Sequence, residues 1–337
     1  MPLSVRFHSL GDPDVLRLDE VDVPQPGEGE VLIRTRALGL NRAEVMFRTG
    51  NYVVDPTFPQ ALGYEASGTV EATGPGVAGV TVGDAVSVVP AFSMTDYALH
   101  GELVLAPSHA VVKHPEKLTW EEAASVWMPF VTAYGGLIDL GGLSSGDTVV
   151  IPAASSSVGL AAIQIANMVG AIPIALTRSG SKRGQLLDAG ASIVIATDED
   201  DVVAQLAHVT GAAGVKVIFD PVAGPLLPAL IEAAAPHATV IIYGALSTEP
   251  TPLPVLAVLG KHITIRGYEL FEVTTDSDRL QDAVTFVHDG LSSGALTPSV
   301  DAVFELADIV DAYRYLESNA QVGKVVVTVP GISPATA

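Results

Sequence analysis

The chain has 337 residues, long for one domain and suited to two; with 48% hydrophobic and 16% charged residues it can bury a sizeable core, which excludes global disorder. Its 38 acidic against 17 basic residues leave a net charge of −21, a surface that repels nucleic acid and anionic membranes. The chain has no cysteine, so disulfides, a thiol nucleophile and any thiolate metal site are excluded together.

Residues 1–6 lack a basic stretch leading into an apolar one, so no signal peptide is expected, and the cysteine-free composition fits a cytoplasmic enzyme. Up to residue 122 the pattern is β-rich. The turn-forming Pro24-Gln25-Pro26-Gly27-Glu28-Gly29 precedes an alternating run at 31–38, and short apolar runs follow at 67–70, 85–89 and 103–105. Short strands with frequent turn signals predict a partly open barrel or distorted sandwich. Thr119 is a plausible N-cap for a helix opening at Trp120. Strand-like runs then alternate with helical stretches, at 149–152, 172–176, 193–195, 215–219, 239–243 and 263–265. Such alternation predicts a doubly wound parallel sheet. Residues 148–177 carry no charge and are long enough to suggest a membrane span, but Pro152, three serines, Gly159, Gly170 and Pro173 divide them into strand, turn, helix and strand. After Gly267 come a helix at 278–289, a last helix at 307–317 and a final strand at 324–329, a tail expected to return to the first domain; residues 331–337 are expected to fray. The predicted domains are 1–122 with 268–337, and 123–267.

The strand, tight turn and helix beginning at Thr148 suit a pyrophosphate, because small residues let the backbone approach it and a helix N-terminus offers free N–H groups. A dinucleotide fingerprint places glycines at 154, 156 and 159, and only Gly159 is one. The candidate turn is therefore Ser155, Ser156, Ser157, Val158 and Gly159. An NAD-preferring fold needs a carboxylate at the end of the second strand. That strand ends at Thr177, followed by Arg178-Ser179-Gly180-Ser181-Lys182-Arg183, with no acid before Asp188. Three cations and two serines suit a 2′-phosphate, so NADPH is the expected cofactor, held by Thr177, Arg178, Ser179 and Lys182, with Arg183 the weaker choice. Tyr243 and Gly244 after the fifth strand, and Leu270 and Phe271 after the sixth, are further expected cofactor contacts.

Gly63, Glu65, Gly68, Gly74 and Val77 match the spacing G-[HY]-E-x-x-G-x-x-x-x-x-G-x-x-V, which resembles the medium-chain dehydrogenase/reductase superfamily. The resemblance extends through Asn41, Arg48-Thr49-Gly50-Asn51-Tyr52, Thr132-Ala133-Tyr134, Asp220-Pro221-Val222-Ala223-Gly224 and Val322-Gly323-Lys324-Val325-Val326. It implies an α/β architecture, a GroES-like β-rich catalytic domain plus a Rossmann doubly wound parallel sheet. Zinc-dependent members hold the catalytic metal with cysteine and histidine; here Asn41 and Tyr64 stand at two of those positions, and the eight histidines show no H-x-x-x-H pairing, so a metal-free site is expected. Glu65 is expected to be a buried structural carboxylate.

Zinc-free branches of the superfamily reduce activated substrates, so the resemblance implies an NADPH-dependent reductase of quinones or α,β-unsaturated carbonyls. An enoyl-thioester reductase and a non-catalytic NADPH-binding protein are the alternatives. Asn41 and Tyr52 align with positions near the reacting centre, and a tyrosine at the Tyr52 position donates a proton or orients substrate in enoyl-thioester reductases; a phenol is suited to either role. Thr132 and Tyr134 are implied contacts for nicotinamide and phosphate, and Lys324 for the cofactor. Met46, Phe47, Phe92, Met94 and Trp127 could form an apolar substrate wall. The expected partners are a small-molecule quinone or enone and a second copy in a homodimer, with no nucleic acid and no membrane.

Overall fold

The computed structural model describes residues 1–115 and 117–330; the expected frayed end at 331–337 lies outside the described residues. The chain divides into two compact units, Met1–Met128 with Pro298–Ala337, and Pro129–Thr297. The sequence closes the second domain at 267, after the last parallel run, whereas residues 268–297 stay with the second unit. Local bonds within that unit explain why. Tyr268 N–H donates to the Ile242 carbonyl at 2.9 Å, Arg279 Nε reaches Asp139 Oδ2 at 3.0 Å, and Gln164 exchanges two hydrogen bonds with the Thr297 backbone, at 3.0 and 2.7 Å.

The first unit is built around the long strand Glu30–Gly39. It pairs antiparallel with Glu65–Thr73, with Leu103–Pro107 and with Lys324–Thr328. The returning tail thus places its last strand directly on the central one. Val300–Glu305, Ala85–Val88 and Val111–Lys113 complete this sheet, and a small sheet of Leu16–Glu20, Leu3–Phe7 and Gln60–Ala61 lies apart from it. Two motif glycines have a steric task here. A Cβ on Gly68 would stand 2.2 Å from the Arg34 carbonyl oxygen, and one on Gly74 would stand 1.6 Å from that of Gly27. Both backbones approach a neighbouring segment too closely for a side chain.

The second unit carries six parallel strands, Thr148–Ile151, Ile172–Thr177, Ile193–Ala196, Val215–Asp220, Ala234–Ile242 and Thr264–Gly267. Their order across the sheet is third, second, first, fourth, fifth, sixth. The order reverses between the first and fourth strands, the arrangement of a dinucleotide-binding sheet. The central strands are largely apolar because both faces are covered; Val150, Ile174, Leu176, Ile195, Ile218 and Val240 pack with Leu206, Leu227, Leu230 and Ile231 from the helices. The fifth strand begins at Ala234, earlier than the apolar run at 239 predicts. Its register against the fourth strand slips between Val215 and Val217, and His237 inside it has φ +60°, so the extra residues break the sequence pattern. Among the described residues no helix is long and apolar enough to cross a membrane.

Gly159 sits where helix Ser157–Met168 meets the first strand, and a Cβ there would lie 2.5 Å from the Ala154 carbonyl oxygen and 2.6 Å from its Cα. Gly159→Ala is expected to push the helix off the turn and lower stability by about 1–3 kcal/mol. Urea unfolding measures this; an unchanged midpoint would mean that the helix start shifts without cost.

Candidate functional site

In the first unit, strand Glu30–Gly39 delivers the chain into Asn41, the N-cap of helix Arg42–Arg48. The capping box is visible in the sequence as Asn-Arg-Ala-Glu. Asn41 N–H donates to Glu44 Oε2 at 2.7 Å, while the Asn41 amide Nδ2 donates to the Gly39 carbonyl at 2.9 Å and to Glu44 Oε1 at 3.1 Å. Lys324, at the start of the last strand, donates to Asn41 Oδ1 and to Glu65 Oε2, both at 2.6 Å. Glu65 Oε1 accepts the N–H groups of Trp127 at 2.5 Å and Met128 at 3.2 Å. Lys324 is 1% exposed and Glu65 fully buried. Burial pushes the Glu65 carboxyl above its usual range, against the pull of the Lys324 ammonium and the two backbone donors. The pair fits only because residue 39 is glycine: a Cβ there would stand 2.8 Å from Lys324 Cε and 2.0 Å from the Ala124 carbonyl oxygen.

Glu44 links this pair to the aromatic groups. It accepts from Tyr64 N–H at 3.0 Å and from the Tyr313 hydroxyl at 2.9 Å. His100 is fully buried, with Nδ1 3.3 Å from the Tyr313 hydroxyl and Nε2 3.7 Å from Glu44 Oε1. Burial lowers the His100 pKa. Tyr52 is half-buried, its ring edge-on to Phe47 at 6.1 Å and its hydroxyl 3.2 Å from that of Tyr64. Burial pushes the Tyr64 phenol far above its usual value, so it stays protonated. The two expected catalytic residues are therefore joined through Glu44 and Tyr64. Lys324 is brought to Asn41 and Glu65. Of the expected apolar wall, Phe47, Phe92, Met94 and Trp127 are buried as core, and only Met46 is half-buried.

In the second unit, the turn after the first strand holds its shape without the first two glycines. Ala153 takes the left-handed conformation at φ +49°, and Ala154 N–H donates to the Leu176 carbonyl at 3.1 Å. Ser156 is the N-cap of helix Ser157–Met168, its Oγ accepting Gly159 N–H at 3.1 Å. By helix geometry the N–H groups of Ser157 and Val158 have no intrahelical acceptor. Ser155 and Ser157 are half-buried. Lys182 Nζ donates to Ser155 Oγ at 3.2 Å, which ties the loop after the second strand to this turn. Thr177 is buried, Arg178 exposed and Ser179 half-buried, with Ser179 Oγ 2.8 Å from Ser181 Oγ. Arg183 points away: it donates to the Val194 carbonyl and, at 3.2 Å, to Asp200 Oδ2. Tyr243 stacks on Phe219 at 3.9 Å, and its buried hydroxyl has no hydrogen-bond partner among the described residues. Gly244, Leu270 and Phe271 are half-buried, and Thr132 is buried on helix Trp127–Tyr134. These residues fit a dinucleotide: a capped helix start, a neighbouring cationic loop and an orphaned phenol at the end of the fifth strand.

Sequence reasoning assigned no role to Glu44, His100 or Tyr313. The Asn41–Glu44 capping spacing could have found the first; the others are brought in by tertiary packing alone. Lys324→Met is expected to destabilise the protein by about 3–5 kcal/mol near neutral pH, because Glu65 is left as an uncompensated buried carboxylate. A carboxyl whose folded-state pKa is raised takes up a proton on folding, so the deficit should shrink as pH falls through that raised value toward the ordinary carboxylate range. Unfolding midpoints across pH measure this; a deficit that grows on acidification would refute it.

Residues 27–116 match the alcohol dehydrogenase GroES-like domain model and residues 157–289 the zinc-binding dehydrogenase model. Human quinone oxidoreductase is 30% identical over 328 residues, covering 96% of both chains. A mycobacterial protein solved in complex with NADPH is 30% identical, with a TM-score of 0.88 over 97% of this chain and 100% of that one. Escherichia coli quinone oxidoreductase, solved in complex with NADPH, has a TM-score of 0.88 at 26% identity, over 97% of this chain and 99% of its own. Taken with the strand order and the match over both units, these likenesses place the chain in the medium-chain dehydrogenase/reductase superfamily, in its quinone oxidoreductase branch.

Proposed function

We propose that the protein is a zinc-independent, NADPH-dependent oxidoreductase that reduces quinones or the C=C bond of α,β-unsaturated carbonyls. The observation that carries this reading is what occupies the superfamily's metal-ligand positions. Asn41 has its amide engaged by Lys324, Gly39 and Glu44, Tyr64 presents a phenol held protonated by burial, and the chain has no thiolate to offer. Bound NADPH supplies a hydride to an acceptor already activated by conjugation.

The chain's own residues bind and orient. Ser155, Ser156, Ser157, Val158 and Gly159 hold the pyrophosphate at the helix start. Arg178, Ser179 and Lys182 hold the 2′-phosphate by charge-assisted bonds. Thr132, Thr177, Tyr243, Gly244, Leu270 and Phe271 complete the cofactor contacts. Tyr52 donates its hydroxyl hydrogen bond to the substrate oxygen on which negative charge develops, a role that needs no metal. Tyr64, 3.2 Å away, fixes the direction of that hydroxyl. Lys324 acts at one remove, by holding Asn41 in place. The composition fits a cytoplasmic enzyme. A homodimer is favoured by the edge strand Thr264–Gly267 and by the exposed Leu253, Val255, Leu256 and Leu259 in the preceding segment.

Arg178→Gln with Lys182→Gln is expected to raise the NADPH KM about tenfold or more while leaving that for NADH nearly unchanged; an unaltered preference would overturn the 2′-phosphate assignment. Steady NADPH oxidation is expected with 1,4-quinones or enones in a panel that also holds enals and enoyl thioesters, and Tyr52→Phe should lower kcat about tenfold with the best of them. Tight NADPH binding with no turnover across the panel would favour a binding protein, and turnover confined to enoyl thioesters would favour that alternative.

A further inference from the structure

The loop that follows the second strand receives a carboxylate from elsewhere in the unit. The third strand, Ile193–Ala196, ends in a turn that is stitched to the second: Thr197 N–H donates to the Thr177 carbonyl at 2.8 Å, and Asp198 N–H to that of Arg178 at 3.0 Å. This places Glu199 against Gly180, whose N–H it accepts through Oε1 at 2.8 Å. The second carboxylate oxygen lies 3.0 Å from where a Cβ on residue 180 would stand, so a side chain there would crowd it. Scanning forward from the second strand finds no acid before Asp188, yet folding brings one from nineteen positions beyond Gly180.

We propose that Glu199 is a specificity-determining residue that restrains the preference for NADPH over NADH. The inference rests on the reading of Arg178, Ser179 and Lys182 as the 2′-phosphate loop. Glu199 takes the Gly180 N–H, a donor that an incoming phosphate would otherwise use, and sets a negative charge on a loop whose own cations are meant for a dianion. The neighbouring Asp200 adds to the effect by drawing Arg183 away from the loop, with Nη2 to Oδ2 at 3.2 Å. A carboxylate repels a 2′-phosphate and is indifferent or favourable to a 2′-hydroxyl, which is how acids select NADH at the end of the second strand. The loop therefore carries both signs of charge, cations from its own sequence and an anion from the next turn. The outcome is a tempered discrimination between the two cofactors.

Glu199→Gln keeps the acceptor for Gly180 N–H and removes the charge, and Glu199→Ala removes both. Affinities for NADPH and NADH, read from the fluorescence of the reduced nicotinamide, are compared with those of the intact chain. Glu199→Gln should tighten NADPH about three- to tenfold and leave NADH within twofold, with the gain reduced at high salt. Glu199→Ala should give a smaller gain, because the loop also loses its anchor. A ratio of NADPH to NADH affinity that stays constant or falls in Glu199→Gln overturns the proposal. If the Arg178 and Lys182 substitutions weaken NADPH while Glu199→Gln leaves the ratio constant, only this inference fails. If they leave NADPH binding intact, the 2′-phosphate reading fails first and this inference falls with it.

Discussion

The buried pair of Lys324 and Glu65 is the constraint on which the first unit depends. Two charges removed from water are tolerated only when each is fully met by partners. Lys324 has Glu65 and Asn41, and Glu65 has Lys324 and the N–H groups of Trp127 and Met128. From Asn41 the network passes to Glu44, and from Glu44 to Tyr64, Tyr313 and the neighbourhood of His100. A cluster so closely satisfied leaves few alternative arrangements, which is what a hydroxyl such as that of Tyr52 needs if it is to hold one direction. Within the cluster an ammonium group supplies the positive charge that binds the polar side chains together.

The second unit solves a different problem, a tight strand-to-helix turn without a glycine-rich sequence. Ala153 takes the left-handed conformation that a glycine would ordinarily supply, at a cost of about 1 kcal/mol or more. Ser156 caps the helix, and Gly159 alone keeps the close contact between helix and strand. Of the three glycines of a dinucleotide fingerprint, the one kept here is the packing glycine, where a Cβ would crowd the Ala154 backbone.

How much of this was legible in the sequence depended on range. The alternation of apolar runs and helices foretold the parallel sheet, because a strand covered on both faces reads as a local signal. The serine turn and the cations after Thr177 were equally local. The second domain boundary was not, since nothing in the residues around 268 says that the helix following them, Ser277–Ser293, remains with the sheet. For Asn41 and Lys324 the sequence offered only an expected place in a site. That each is turned toward the other, 283 positions apart, is decided by the pairing of the last strand with Glu30–Gly39. Glu199 was invisible for the same reason: its position follows from the parallel pairing of the second and third strands, which no spacing rule encodes.

The 259 positions that separate Lys324 from Glu65 also impose an order in time. While the chain is being synthesised, Glu65 emerges long before its cation. Until then a carboxylate destined for a dry interior must stay in water, and the central strand of the first unit lacks the partner that covers one of its edges. The second unit suffers no such delay, for Pro129–Thr297 is continuous and can fold once its own residues have emerged. The first unit, though it begins the chain, is then the later of the two to complete its core.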